Sequence, residues 1–173
     1  SISEIKDIEK REFLRLGDSF KLMEQAGEAC AKQIIKNYKK NRFIVVCGPG
    51  NNGGDGLILS TCLSEHGKEV DLYCLSKNSY KGDSLKAYKK NKLKKKPLDE
   101  LNVNQDAVIV DAIFGIGLNK KIEGIFKDCV EKINSSKLKV IAVDIPSGIY
   151  GDNGKIMGEA VRADVTLALH AKK

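Results

Sequence analysis

Apolar positions recur at three- and four-residue steps through residues 19–41, at Phe20, Met23, Gly27, Cys30, Ile34 and Tyr38. That period predicts a helix with one buried face, and Ser19 is placed to be its N-cap. The pattern then changes. Residues 43–47 read FIVVC, a short β-branched and aromatic run that predicts a strand buried on both faces. A helix beginning near Gly54 has regular spacing over 57–65 and stops at His66-Gly67, where glycine can take the left-handed cap and His66 suits the negative helix end.

The alternation continues with a strand at 70–75 and a segment carrying Leu85, Tyr88 and Leu93 at helical intervals, which Pro97 ends. A strand follows at 107–114, a helix at 122–134, and strands at 139–145 and 164–169. Helical crossovers between the first four strands join parallel neighbours, so the expected class is α/β. The architecture is a Rossmann-like three-layer sandwich with a central, mainly parallel sheet. No repeat, low-complexity tract or linker interrupts the chain, and 173 residues suit a single domain over 1–173.

Composition narrows the class. No stretch approaches the roughly 20 apolar residues of a membrane helix, and residue 1 onward lacks the order of a signal peptide. Five cysteines, at 30, 47, 62, 74 and 129, form no CxxC pair and no zinc spacing. Cys47, Cys62 and Cys74 sit in apolar runs and read as buried thiols in a reducing, cytoplasmic setting. The net charge of +7 is concentrated between Lys81 and Lys96, where eight lysines occur without an arginine. Such a run reads as a solvated face, so neither membrane nor nucleic acid is an expected partner.

In an open parallel sheet, ligands gather beyond the carboxyl ends of the strands, and three of those ends carry chemistry here. After the first strand, GPGNNG from Gly48 to Gly53 satisfies GxGxxG, and the helix that follows points free amides at an anion. The second strand ends Tyr73-Cys74-Leu75-Ser76, without the acid that holds a ribose in dehydrogenases. Asp55 sits at the helix start, where it could simply act on the helix dipole; Asn51 and Asn52 have no such structural role. After the third strand, Asp111 precedes a second glycine loop, Gly115-Ile-Gly117, followed by Asn119, Lys120 and Lys121. After the fourth come Asp144, Pro146, Ser147 and Gly148. The Asn52 amide, Asp111 carboxylate and Ser147 hydroxyl make an oxygen-only set suited to a weakly bound hard cation. His66 and His170 are assigned no catalytic role.

Five segments together resemble the YjeF N-terminal family: LMEQAG at 22–27, VVCGPGNNGGDG at 45–56, VDAIFGIGL at 110–118, VDIPSG at 143–148 and ADVTLALHAKK at 163–173. The resemblance implies an isomerase, an NAD(P)H-hydrate epimerase that interconverts the R and S forms of NADHX and NADPHX for cofactor repair. It implies that Asn51, Asn52, Gly53, Gly54 and Asp55, with Gly115, Ile116, Gly117, Leu118, Asn119, Lys120 and Lys121, hold the hydrated dinucleotide, with Asp144 beside them. It also implies a potassium ion on Asn52, Asp111 and Ser147, a homodimer, and an ADP- or ATP-dependent dehydratase as functional partner, possibly fused. The family continues past the AKK motif into a further strand, so a last C-terminal segment is expected beyond Lys173.

Bond-breaking at the hemiaminal-like C6 needs a group that gives and takes a proton, and Asp144 is the catalytic candidate. Asp111 or Asp55 would be the neighbouring acid that tunes it. The alternative function is a non-catalytic scaffold of the same fold, or an RNA-associated module using the lysine run; an NAD-dependent dehydrogenase lacks its ribose acid here.

Overall fold

Phe43, Val45 and Cys47 point to one side of strand β1 (Arg42–Cys47), Ile44 and Val46 to the other, and none has measurable solvent exposure. The computed structural model, which describes residues 1–16, 18–115, 121–149 and 158–169, thus shows why this run lacks polar alternation: both faces are covered. On the first side, helices α2 (Ser19–Asn37), α3 (Asn51–Glu65) and α4 (Gly82–Lys90) contribute Met23, Ile34, Leu57 and Ala87 to the same buried cluster as Val45. On the second, α5 (Gly124–Ser135) contributes Cys129, Val130 and Ile133 to the buried cluster that holds Ile44 and Val46. Burying one such aliphatic side chain contributes about 1.5–3 kcal/mol.

The remaining strands are β2 (Glu69–Cys74), β3 (Lys95–Pro97), β4 (Val108–Ala112), β5 (Lys139–Val143) and β6 (Val165–Leu167). They form one parallel sheet in the order β3-β2-β1-β4-β5-β6. The order runs outward from β1 to β3 on one side and from β4 to β6 on the other. Connections leaving β1 and β4 therefore diverge, and a crevice opens beyond their carboxyl ends.

Several elements depart from the sequence expectation. Helix α1 (Ile2–Leu16) has no counterpart in it. Asp18, not Ser19, caps α2: its backbone is extended and its carboxylate accepts from the Phe20 amide at 2.9 Å. That helix ends at Asn37, because Tyr38 turns extended and residues 39–41 lead into β1. Helix α3 begins at Asn51, earlier than its apolar spacing indicates, so NNGGD forms its first turns and not a free loop.

Strand β3 lies inside the lysine run, paired only with β2. Three residues with two lysines and a proline carry no strand pattern, and the same features protect a sheet edge from further pairing. The lysines are partly built into the fold. Lys96 Nζ lies 3.3 Å from Asp71 Oδ1, Lys95 Nζ donates to the Asn91 carbonyl at 2.7 Å, and Lys90 Nζ is 3.2 Å from Glu24.

Of the three cysteines expected to be buried, Cys47 and Cys74 are, whereas Cys62 on α3 is only half-buried. The His66 ring Nδ1 lies 2.8 Å from the Cys62 carbonyl, in keeping with a helix-end role. His170 lies outside the described residues. Among the described residues, no helix is long and apolar enough to cross a membrane.

Candidate functional site

The crevice is built around a contact with no room for side chains. The Gly48 amide extends the sheet by donating to the Ala112 carbonyl at 2.9 Å. A Cβ on Gly48 would stand 1.9 Å from the Ile113 oxygen, and one on Gly53 would stand 1.8 Å from the Gly48 oxygen. Glycine at both positions lets the first turn of α3 press onto the ends of β1 and β4. That contact holds Asn52, Gly53, Gly54 and Asp55 in helical geometry despite their low helix propensity.

Asn52 is buried, and among the described residues neither its Oδ1 nor its Nδ2 has a hydrogen-bond partner. Buried amides are nearly always satisfied, so one with both ends idle marks a place where a ligand completes the structure. Gly115 lies directly against it. A Cβ there would stand 3.2 Å from Asn52 Cβ, 3.4 Å from Asn52 Cγ and 3.2 Å from Asp144 Oδ2. The backbone at Gly115 therefore runs between the Asn52 amide and the Asp144 carboxylate.

Asp144 is where β5 stops. Its amide still donates to the Leu167 carbonyl of β6 at 2.7 Å, but its φ of 73° is left-handed, the only such non-glycine value among the described residues. Aspartate tolerates this conformation better than most residues, and a strained backbone at a strand end is a recurring property of functional positions. The turn corrects the expected strand end, which had run to Ile145, and leaves Asp144 half-buried in the crevice.

Beyond that turn, Ser147 bonds back to β4. Its hydroxyl donates to Asp111 Oδ1 at 2.6 Å, and its amide donates to Asp111 Oδ2 at 2.8 Å. The Ile113 amide also donates to Asp111 Oδ1, at 3.2 Å, and the Phe114 amide donates to the Ser147 hydroxyl at 2.9 Å. Asp111 and Ser147 are both fully buried. Burial pushes the Asp111 carboxyl up to about 6, in spite of these hydrogen bonds, which favour its charged form.

Asp55 differs from its expected role. It is 4% exposed, too enclosed for a simple dipole interaction at a solvated helix end. Burial, then the charge of Asp144, then that of Glu9, push its carboxyl well above the usual range. Of the two neighbours expected for Asp144, Asp55 is reached by its charge.

A cavity of about 330 Å³ opens against Asn51 and Asp55, with Lys6 and Glu9 of α1 and Leu22 and Met23 of α2 among its walls. Larger cavities, of about 510 and 610 Å³, lie elsewhere: beside α5, and near the amino ends of β4 and β5. The smaller one borders the crevice, so we associate it with the chemistry.

The family model described as YjeF-related protein N-terminus matches residues 19–173. The chain belongs to this family. Over 185 residues it is 36% identical to a Thermofilum pendens protein named bifunctional NAD(P)H-hydrate repair enzyme Nnr, covering 99% of this chain and 35% of that protein. It is 35% identical to a Limosilactobacillus fermentum protein named NAD(P)H-hydrate epimerase, covering 90% of this chain and 76% of the relative. The crystal structure of yeast ynu0 superposes with a TM-score of 0.79 at 25% identity, covering 97% of this chain and 78% of that one. The YjeF-related fold thus extends over essentially the whole described molecule.

Within this YjeF-related domain, the structure brings together most residues singled out from sequence. Asn52, Gly115 and Asp144 meet, Asp111 and Ser147 bond directly, and Asp55 and exposed Asn51 face the adjoining cavity. Lys121 is exposed beside buried Ile122, and Ile116, Gly117, Leu118, Asn119 and Lys120 lie outside the described residues. Lys6 and Glu9 were not foreseen. Their signal was available in the i, i+3 spacing that puts them on one helical face.

Proposed function

We propose that this chain is an NAD(P)H-hydrate epimerase that interconverts the R and S forms of hydrated NADH and NADPH. The observation that carries the reading is the buried, unsatisfied Asn52 amide facing Gly115 and Asp144 at the sheet's switch point, in a family whose relatives bear that name. A hydrated dinucleotide presents phosphate, ribose and carboxamide groups, which suit idle amide donors and acceptors.

Inverting C6 requires one bond at that carbon to break and reform. A proton must be given to the departing atom and one must be taken up when the bond is remade. Asp144 is suited to this exchange because it lies in the crevice with its Oδ2 beside Gly115. Asn51, Asn52 and the first turn of α3 would hold the substrate, together with the segment from Gly115 to Lys121.

A potassium ion fits the donor chemistry. Asn52 Oδ1 is a buried oxygen with no partner, and Asp111 supplies a buried carboxylate that a cation would keep ionised. Asn52, Asp111 and Ser147 would hold it. The ion would supply fixed positive charge to offset Asp111 and the substrate's phosphates.

The test is chromatographic: purified S or R hydrate is incubated with the protein in potassium buffer. Interconversion faster than the spontaneous rate supports the reading, and a rate equal to the blank ends it. We also propose that the chain acts with an NAD(P)H-hydrate dehydratase, in keeping with relatives named as bifunctional repair enzymes. A homodimer and a cytoplasmic location complete the proposal.

A further inference from the structure

The cavity of about 610 Å³ lies at the opposite end of the sheet from the crevice, where Val108 of β4 and Lys139 of β5 stand in register. Five residues of strand, about 17 Å, separate the two ends. Lys39, Lys40, Lys137 and Lys139 line this cavity, and Asp106 is the carboxylate among its walls. Lys40 Nζ is 2.6 Å from Asp106 Oδ1, so that pair is neutral. Among the described residues, Lys39, Lys137 and Lys139 make no ion pair, which leaves a surplus of three positive charges. Asp164 lies outside the lining, and its carboxylate accepts from the Val140 amide at 2.8 Å.

The lysines stand on fixed backbone. Tyr38 turns extended after α2 while its amide still donates to the Ile34 carbonyl at 2.9 Å, and Lys68 Nζ donates to the Lys40 carbonyl at 3.3 Å. The Ser136 hydroxyl donates to the Ile133 carbonyl at 2.8 Å and accepts from the Leu138 amide at 3.4 Å, which fixes the turn that carries Lys137. Cations placed after helix carboxyl ends offset the helix dipole, but α2 and α5 together present only about one elementary charge. The lysines exceed that. The rest of the wall is apolar or aromatic: Val108 is buried, and Leu138 and Tyr38 are half-buried. A concave surface with a phenol ring, an aliphatic floor and several ammonium groups has the composition of a site for a base joined to phosphates.

We propose that this cavity is a second ligand site, which binds a nucleoside triphosphate with its phosphates on Lys39, Lys137 and Lys139 and its base against Tyr38 and Leu138. The site is separate from the crevice and does not depend on the epimerase reading. The three ammonium groups match the phosphate charge, and the volume falls within the range of small-molecule sites.

The experiment titrates the protein with magnesium-free ATP in dilute salt, by calorimetry and by amide NMR. The amides of Tyr38, Leu138 and Lys139 are expected to shift, and those of Asn51 and Gly54 to stay in place. The double variant Lys137→Gln/Lys139→Gln is expected to bind ATP about tenfold more weakly or worse. Tyr38→Leu should weaken ATP while leaving inorganic tripolyphosphate unaffected. Lys89→Gln, an exposed lysine of α4 outside this cavity, serves as the charge control and should bind as wild type does. Absence of ATP binding overturns the proposal, and so do shifts confined to Asn51 and Gly54, which would place ATP in the crevice. Tripolyphosphate binding as tightly as ATP overturns it, as does an equal loss in Lys89→Gln, since either would mark an unselective basic surface. A lower thermal midpoint in the double variant with unchanged ATP affinity also overturns it, because the lysines would then serve only the helix ends.

Discussion

Ser147 and Asp111 are 36 residues apart in the chain, yet the serine clasps both oxygens of the carboxylate, one with its hydroxyl and one with its amide. The hydroxyl also accepts from the Phe114 amide. Ser147→Ala removes the hydroxyl's interactions with Asp111 and Phe114 and leaves the part-buried Phe114 amide without its acceptor. We expect a loss of about 2–3 kcal/mol, measured as a lowered urea midpoint at constant slope.

Asp111 also sets a pH dependence in protein free of potassium and sodium. Its folded-state value, about 6, lies above the ordinary 3.8. The folded protein therefore binds more protons than the unfolded chain within that window. This contribution is full below about 3.8, declines as pH rises through about 6, and then levels off. The decline is on the order of 3 kcal/mol at most. Asp111→Asn should flatten this part of the profile when urea midpoints are compared between pH 4 and 8; an unaltered profile would refute the assignment.

Asp144 offers two substitutions with separable outcomes. Asparagine tolerates left-handed φ nearly as well as aspartate, so Asp144→Asn should keep the thermal midpoint and lose at least about 100-fold in kcat. Asp144→Ala should lose the same activity and about 1 kcal/mol of stability besides. Retained turnover in Asp144→Asn would dismiss it as the proton-transfer group.

The Asn52 amide costs the empty protein stability. Replacing it with leucine, which has the same branching, removes two idle polar atoms, and we expect Asn52→Leu to be more stable by about 1–2 kcal/mol. The same variant should lose the stabilisation that potassium confers on wild type. Calorimetry with and without potassium checks both, and a destabilised variant would count against the amide being idle.

Two glycines of one motif should respond oppositely. A Cβ on Gly53 meets the Gly48 oxygen at 1.8 Å, whereas one on Gly50 meets nothing within 4 Å. Gly53→Ala should therefore cost about 3 kcal/mol or more, and Gly50→Ala less than about 1 kcal/mol. Thermal melting of the pair measures the contrast.

The parts of the fold legible in the sequence are those buried on both sides. β1 and β4 announce themselves because, past Arg42 at the start of β1, every residue in them is apolar or a candidate site residue. β3 does not, because its three residues are strand only through pairing with Leu72, Tyr73 and Cys74. The start of α3 was obscured for a related reason. Asn-Asn-Gly-Gly is a poor helix sequence by itself, and it is helical because Gly53 seats on Gly48 and Gly54 sits against Met23 and Ser84. In the site, Asp111 and Ser147 could be grouped from their strand-end positions. The left-handed turn at Asp144 and the approach of Glu9 could not, since both depend on tertiary contacts with β6 and α1.

The seating of Gly53 on Gly48 also limits how this scaffold can be adapted. A turn that excludes even a methyl group offers no handle for altering which dinucleotide is accepted. Laboratory evolution toward synthetic cofactor analogues would find few viable variants at these positions. Its diversity belongs on α1, where exposed Lys6 and Lys10 border the same cavity without supporting the sheet.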